Sequence, residues 1–191
     1  MLHSPSKSAL LVMDMQNSVV SRYVKSEEEL LPFQKAIAAA RSNEIPVIYV
    51  RVVFRPGYPE VSVHNKMFGG IASRAGSAAP PESAIQIHEW LEPQHDELIV
   101  NKIRVSAFAG SDLEVILRSN RIDTLILSGI ATSGVVLSTL REAADKDYKL
   151  TVLTDACIDS DPEVHRVLTE KVFPAQAEVV TVEEWTDSLK K

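Results

Sequence analysis

The sequence predicts an α/β domain: a parallel sheet covered by helices on both faces. Three observations lead there. Six short apolar, β-branched runs recur along the chain. They are continuous rather than alternating, as strands buried on both faces must be. Helical stretches lie between them, several opened by a Ser followed three residues later by a Glu, the spacing of a reciprocal N-terminal cap. Strand and helix in alternation give parallel pairing, because each crossover must carry the chain back over the sheet.

The runs are residues 9–14 (ALLVMD), 46–53 (PVIYVRVV), 97–102 (ELIVNK), 124–130 (TLILSGI), 150–154 (LTVLT) and 178–182 (EVVTV). The Ser/Glu pairs are Ser26/Glu29, Ser111/Glu114 and Ser160/Glu163. Pro162 fits the first turn of a helix, where its missing N–H costs nothing. Residues 54–82 break the alternation. They are rich in Pro, Gly and Ser without clear period, and loops of that length in a compact domain are usually functional lids. The aromatics Phe54, Tyr58 and Phe68 favour a lid over a solvated, disordered insertion.

With 191 residues, 45% hydrophobic and 24% charged, the chain reads as one domain over residues 1–191. Such a domain buries about 70% of its unfolded surface without staples. Twenty Lys and Arg against 26 Asp and Glu leave a net charge of −6, with no basic cluster. No nucleic-acid partner or anionic membrane is therefore expected. The apolar run near the start is too short for a signal peptide or a membrane span, so a cytoplasmic protein is expected. One cysteine, Cys157, excludes an internal disulfide and a thiolate zinc site.

In an open parallel sheet the ligand crevice lies beyond the carboxyl ends of the strands, where the strand order reverses. Asp14 closes the first run, placing an acid where burial would raise its pKa and a nearby cation would lower it. Lys102 closes the third run. Residues 129–134 (GIATSG) follow the fourth and lead into a helix, offering amides to an anionic group. Singly, such residues are helix caps or solvated ends; together, at three strand ends, they outline a site. No G-x-G-x-x-G follows the first strand and no G-x-x-x-x-G-K-[ST] occurs, so no nucleotide cofactor is expected.

Through LLVMDMQN (residues 10–17), NKIRVSAFAGSDLEVIL (101–117), SGIATSGVVLSTLREAADKDY (128–148) and LTVLTDACID (150–159), the chain resembles the isochorismatase-like cysteine hydrolase superfamily. That superfamily includes nicotinamidases, carbamoylsarcosine amidases and isochorismatases. The resemblance implies a three-layer α/β/α sandwich with a six-stranded parallel, Rossmann-like sheet, a homodimer or homotetramer, and an Asp-Lys-Cys site. Asp14 and Lys102 match the first two members. The Ile130–Ala131 bond matches a non-prolyl cis peptide that aims amides at a developing oxyanion. The nucleophile position, three residues after Thr132, is occupied by Val135, which cannot attack. Cys157 falls where the family carries a cysteine that looks like packing. The isochorismatase branch also lacks the nucleophile; there an Asp protonates an enol-ether carbon and water captures the cation. Nicotinamidases hold a metal with an Asp-x-His and a further His, whereas the corresponding stretch here has His64 alone. No metal and no cofactor are expected, and His64 reads as a lid or surface residue. His3, His88, His95 and His165 are assigned no role.

The expected function is hydrolysis of a small organic substrate, a vinyl ether, amide or ester. Asp14 serves as general acid or base, and Lys102 holds its charge or binds a substrate anion. Gln16, Phe54, Tyr58, Phe68 and Ala131 form the substrate-binding group, and Arg55 near the lid's start suits a carboxylate. The alternative is an inactive relative that binds small molecules or serves as a scaffold.

Overall fold

The computed structural model describes residues 7–190; His3 lies outside them. The chain runs β1 (Ser8–Met13), α1 (Asn17–Tyr23), α2 (Leu31–Ser42), β2 (Val47–Val52), α3 (Lys66–Ala75), α4 (Glu82–Ile85) and β3 (Leu98–Lys102). It continues through α5 (Leu113–Ser119), β4 (Thr124–Ile130), α6 (Leu137–Asp145), β5 (Lys149–Ile158), α7 (Pro162–Val167), β6 (Glu178–Val180) and α8 (Val182–Ser188). All six strands pair in parallel, in the order β3-β2-β1-β4-β5-β6.

Successive strand residues point to opposite faces, and here both faces are dry. Leu11, Met13, Ile48, Val50, Leu125 and Leu127 pack with Leu113 and Leu117 of α5 and Leu140 of α6. Leu10, Val12, Tyr49 and Ile126 pack with Phe33 and Ile37 of α2 and Trp185 of α8. This is why the strands read as unbroken apolar runs.

The order reverses between β1 and β4, so the crevice opens where Met13 pairs with Gly129. Gly129 has φ +149°, and a Cβ there would stand 2.4 Å from the Met13 carbonyl oxygen. Glycine is what lets the two strands approach at this point.

Several sequence expectations need correction. Residues 54–82 are not without regular structure, since they carry α3, capped by Asn65, whose side chain accepts from the Phe68 amide. Phe68 is buried and Ile71, Ala72 and Ala75 pack beside it, a stripe at helical spacing only about two turns long and set among glycines and polar residues. The strand expected at 150–154 runs on to Ile158, past a register shift against β4 between Leu127 and Gly129. Asp155 interrupts its apolar pattern because its carboxylate accepts from the Val182 amide at the start of α8.

Of the three expected capping pairs, Glu29 does reach back, accepting from the amides of Lys25 and Ser26. Asp112 holds the N-cap position of α5, and Glu114 turns instead to Lys146. Asp161, not Ser160, caps α7, taking the Glu163 and Val164 amides, while Glu163 pairs with Arg166. A reciprocal cap not anticipated, Thr181 with Glu184, opens α8.

Candidate active site

Asp14 is the first residue past β1 and sits in the left-handed region, φ +57°. Asp tolerates that conformation better than most side chains. Its amide donates to the Val50 carbonyl, which fixes the turn against β2. Lys102, the last residue of β3, is wholly buried and reaches Asp14, its Nζ 2.9 Å from Oδ2. The same ammonium donates to the carbonyls of Arg104 at 3.0 Å and Val105 at 2.9 Å. Its three donors are thereby spent. The other Asp14 oxygen, Oδ1, is buried and has no hydrogen-bond partner. Burial pushes the Asp14 carboxyl up to about 6, against the charge and hydrogen bond of Lys102, which pull it down. Burial likewise lowers the Lys102 ammonium, and Asp14 opposes that shift.

Across the crevice, the turn Thr132–Val136 follows β4, kinked at Gly134 (φ −100°, ψ −105°) and preceded by a cis peptide bond at Ile130–Ala131. Its amides are partly committed. Ser133 N–H donates to Asp159 Oδ2 at 2.7 Å, and the Gly134 and Val136 amides donate to the Ala131 carbonyl. Val135 is buried in the same apolar cluster as Met13 and Ala107. Cys157 lies in that cluster too; burial pushes its thiol up to about 12, which suits packing and not nucleophilic attack.

The remaining expected residues are arranged as follows. Gln16 spends both ends of its amide on Val52, Nε2 donating to the carbonyl at 3.0 Å and Oε1 accepting from the amide at 2.8 Å. Its reach toward a ligand therefore runs through the β2 main chain. Phe54, Tyr58 and Phe68 form one buried aromatic cluster, with ring centroids 5.4 and 5.2 Å apart. Ile103 and Val105 pack against it, so these aromatics rest on the segment that holds the Lys102 ammonium. Arg104 ties the same stretch to that segment by donating to the Glu60 carbonyl. Arg55 is largely exposed and pairs with Glu60, and His64 is exposed. Among the described residues no group of three His, Cys, Asp or Glu comes together that could hold a metal ion.

Two residues beside the turn carry no expectation from the sequence. His165 Nδ1 stands 2.8 Å from the hydroxyl of the wholly buried Thr132. Burial lowers the His165 imidazole's pKa, and Asp159 pulls it part of the way back. For Asp159 itself burial works upward, but the Ser133 side chain and the amides of Ser133, Asp161 and Ser160 together hold it below its ordinary value. The available signal was positional: Asp159 follows the strand next to β4, where any carboxylate meets the crevice turn.

A doubly wound sheet with a buried acid–ammonium pair at its switch point has the form of a site for acid–base chemistry on a small ligand. The Isochorismatase domain model matches residues 8–184, and the chain belongs to the isochorismatase family of hydrolases. It is 28% identical over 185 residues to the uncharacterized isochorismatase family protein YwoC of Bacillus subtilis, covering 96% of this chain and 95% of that protein. It is 31% identical over 186 residues to the ureidoacrylate amidohydrolase RutB of Pseudomonas syringae pv. syringae, covering 83% and 74%. Among solved structures, a cysteine hydrolase from Pseudomonas syringae pv. phaseolicola superposes with a TM-score of 0.85 at 27% identity, covering 100% of this chain and 95% of that one.

Proposed function

We propose that this enzyme cleaves a small vinyl ether by carbon protonation from Asp14, without a covalent intermediate. The observation that carries this reading is the asymmetry of the carboxyl group. Oδ2 is held by the Lys102 ammonium, whereas Oδ1 is buried and unpartnered. A proton on this group belongs on Oδ1. With a pKa near 6, about one molecule in ten carries that proton at pH 7, enough for a general acid.

The step balances simply. Oδ1–H is transferred to the alkene carbon remote from the ether oxygen, leaving an oxocarbenium ion and an Asp14 carboxylate. Lys102 stabilises that carboxylate as it forms, an interaction stronger in the transition state than before it. Water adds to the cationic carbon and gives a proton back to the Asp14 carboxylate, restoring the acid, and the hemiketal collapses to a carbonyl product and an alcohol. On this reading Val135 supplies an apolar wall, and the amides near Ala131 and Val135 hold a carbonyl or anionic oxygen of the substrate.

The name of the amidohydrolase relative favours a second reading, in which ionised Asp14 activates water toward an amide or ester. A turnover panel of vinyl ethers, amides and esters in H2O and D2O separates the two. Carbon protonation places one deuterium beside the new carbonyl and slows the reaction in D2O; amide hydrolysis leaves the carbon skeleton unlabelled. No turnover of any panel member would support the scaffold alternative.

A further inference from the structure

We propose that His165 is a positioning residue for this reaction, acting through Thr132 to hold the turn that forms the crevice wall opposite Asp14. The inference rests on the hydrolase reading above and adds a residue to it. Thr132 and Ser133 are consecutive, and each is gripped from the same direction. Thr132 Oγ1 meets His165 Nδ1 at 2.8 Å, and Ser133 N–H meets Asp159 Oδ2 at 2.7 Å. The two grips share a support. Asp159 leaves the end of β5, and its Oδ1 accepts from the Asp161 amide; Asp161 caps α7, whose fourth residue is His165. The Thr169 hydroxyl then donates to the His165 carbonyl. The last strand end before α7 and the helix itself thus form one bracket around the turn.

What the bracket holds explains why it matters. Gly134 interrupts the turn with non-helical angles, so the helix ladder does not by itself fix residues 131–135. That stretch contains Val135 and the candidate oxygen-binding amides. A shift of about 1 Å in such a wall costs on the order of 100-fold in rate. A hydroxyl beside an imidazole and a carboxylate also has the composition of a nucleophile with its base. Thr132 is wholly buried, however, and the Asp159 carboxylate accepts from the Ser133 and Asp161 amides rather than from the imidazole. The arrangement therefore favours a brace.

The test uses the full-length enzyme and ethyl vinyl ether, or whichever amide or ester of the panel the wild type cleaves faster. In His165→Ala we expect kcat to fall at least tenfold with KM within twofold. His165→Asn, whose amide reaches about where Nδ1 lies, should recover kcat to within about threefold. Thr132→Val should match His165→Ala, and the double variant should be no worse, because both remove one contact. Amide hydrogen exchange over residues 131–136 should quicken in His165→Ala and not in His165→Asn, measured well below the melting temperature of each variant. Full kcat in His165→Ala overturns the brace and leaves the hydrolase reading intact. An Asn variant as slow as the Ala variant also overturns it, indicating that the imidazole serves as a base. A rise confined to KM overturns it in favour of direct substrate contact. A wild type that turns over nothing overturns the hydrolase reading and this inference with it.

Discussion

Asp14 is held between two opposed effects: burial, which favours its neutral form, and the Lys102 ammonium 2.9 Å away, which favours the charged one. Replacing it by Asn keeps the shape and removes both charge and proton. Stability should move by no more than about 1–2 kcal/mol by thermal melting, since Lys102 keeps its two carbonyl partners. Turnover should fall about 10²–10⁴-fold. The pH dependence follows from the same shift. Asp14 titrates near 6 in the folded chain, above its ordinary 3.8, so folding favours the protonated form. Its contribution to stability is therefore fully present below 3.8 and is lost as pH rises through 6, by about 3 kcal/mol at most. If Asp14 acts as the acid, kcat/KM should rise as pH falls through about 6. Lys102→Met removes the group that pulls the carboxyl down, so that limb should move to higher pH, at a cost of about 3–5 kcal/mol in stability. A limb that stays in place would separate Asp14 from the observed rate. Cys157 should resist iodoacetamide at pH 8 in the native protein and react once unfolded, because its thiol is buried and held protonated.

Among the elements, β1 and β4 depend on one glycine. Gly129→Ala would drive a Cβ into the Met13 carbonyl at a φ that L side chains rarely adopt. We expect a loss of about 3 kcal/mol or more by denaturant unfolding, and a displaced Asp14 turn as well, since Asp14 follows Met13 directly. The reciprocal cap on α8 sets a smaller scale: Thr181→Ala should cost about 1 kcal/mol and leave turnover unchanged. The contrast between the caps also shows how far local pattern reaches. At Ser26/Glu29 and Thr181/Glu184 the Glu reaches back to the amide of its cap residue and the box closes. At α7 an Asp one residue further on takes the cap; at α5 Asp112 holds the N-cap position without a side-chain bond while the Ser111 hydroxyl accepts from the Leu113 amide, and each Glu is drawn to a cation, Lys146 or Arg166. The Ser-x-x-Glu spacing cannot register that competition, which is settled by where the chain turns and which charges lie nearby.

At the scale of the molecule, the family resemblance leads us to expect a homodimer or homotetramer, measurable by light scattering at micromolar concentration. Val135 and Val136, just before α6, are covered by this chain's own core, and Leu137 packs against it. Among the described residues the large apolar side chains left exposed lie elsewhere: Val63 and Met67 in or beside α3, Leu98 and Ile99 on the edge strand β3, Val115 on α5, and Leu31, Val164 and Val167 on α2 and α7. A monomeric mass would leave those residues as ordinary exposed side chains. The winding of the sheet, its six strands, Pro162 at the first turn of α7 and the acid and lysine at strand ends were all legible in the linear chain. They depend on period and on immediate neighbours, which a sequence displays directly. The fate of those side chains was decided only by the fold. That Lys102 crosses from the edge strand to Asp14, 88 residues away in sequence, and that His165 and Asp159 grip a turn 33 and 26 residues upstream, follow from strand order and register. Burial, pairing and the resulting shifts in acidity are properties of a place in space, and that place exists only once the β-strands have been laid side by side.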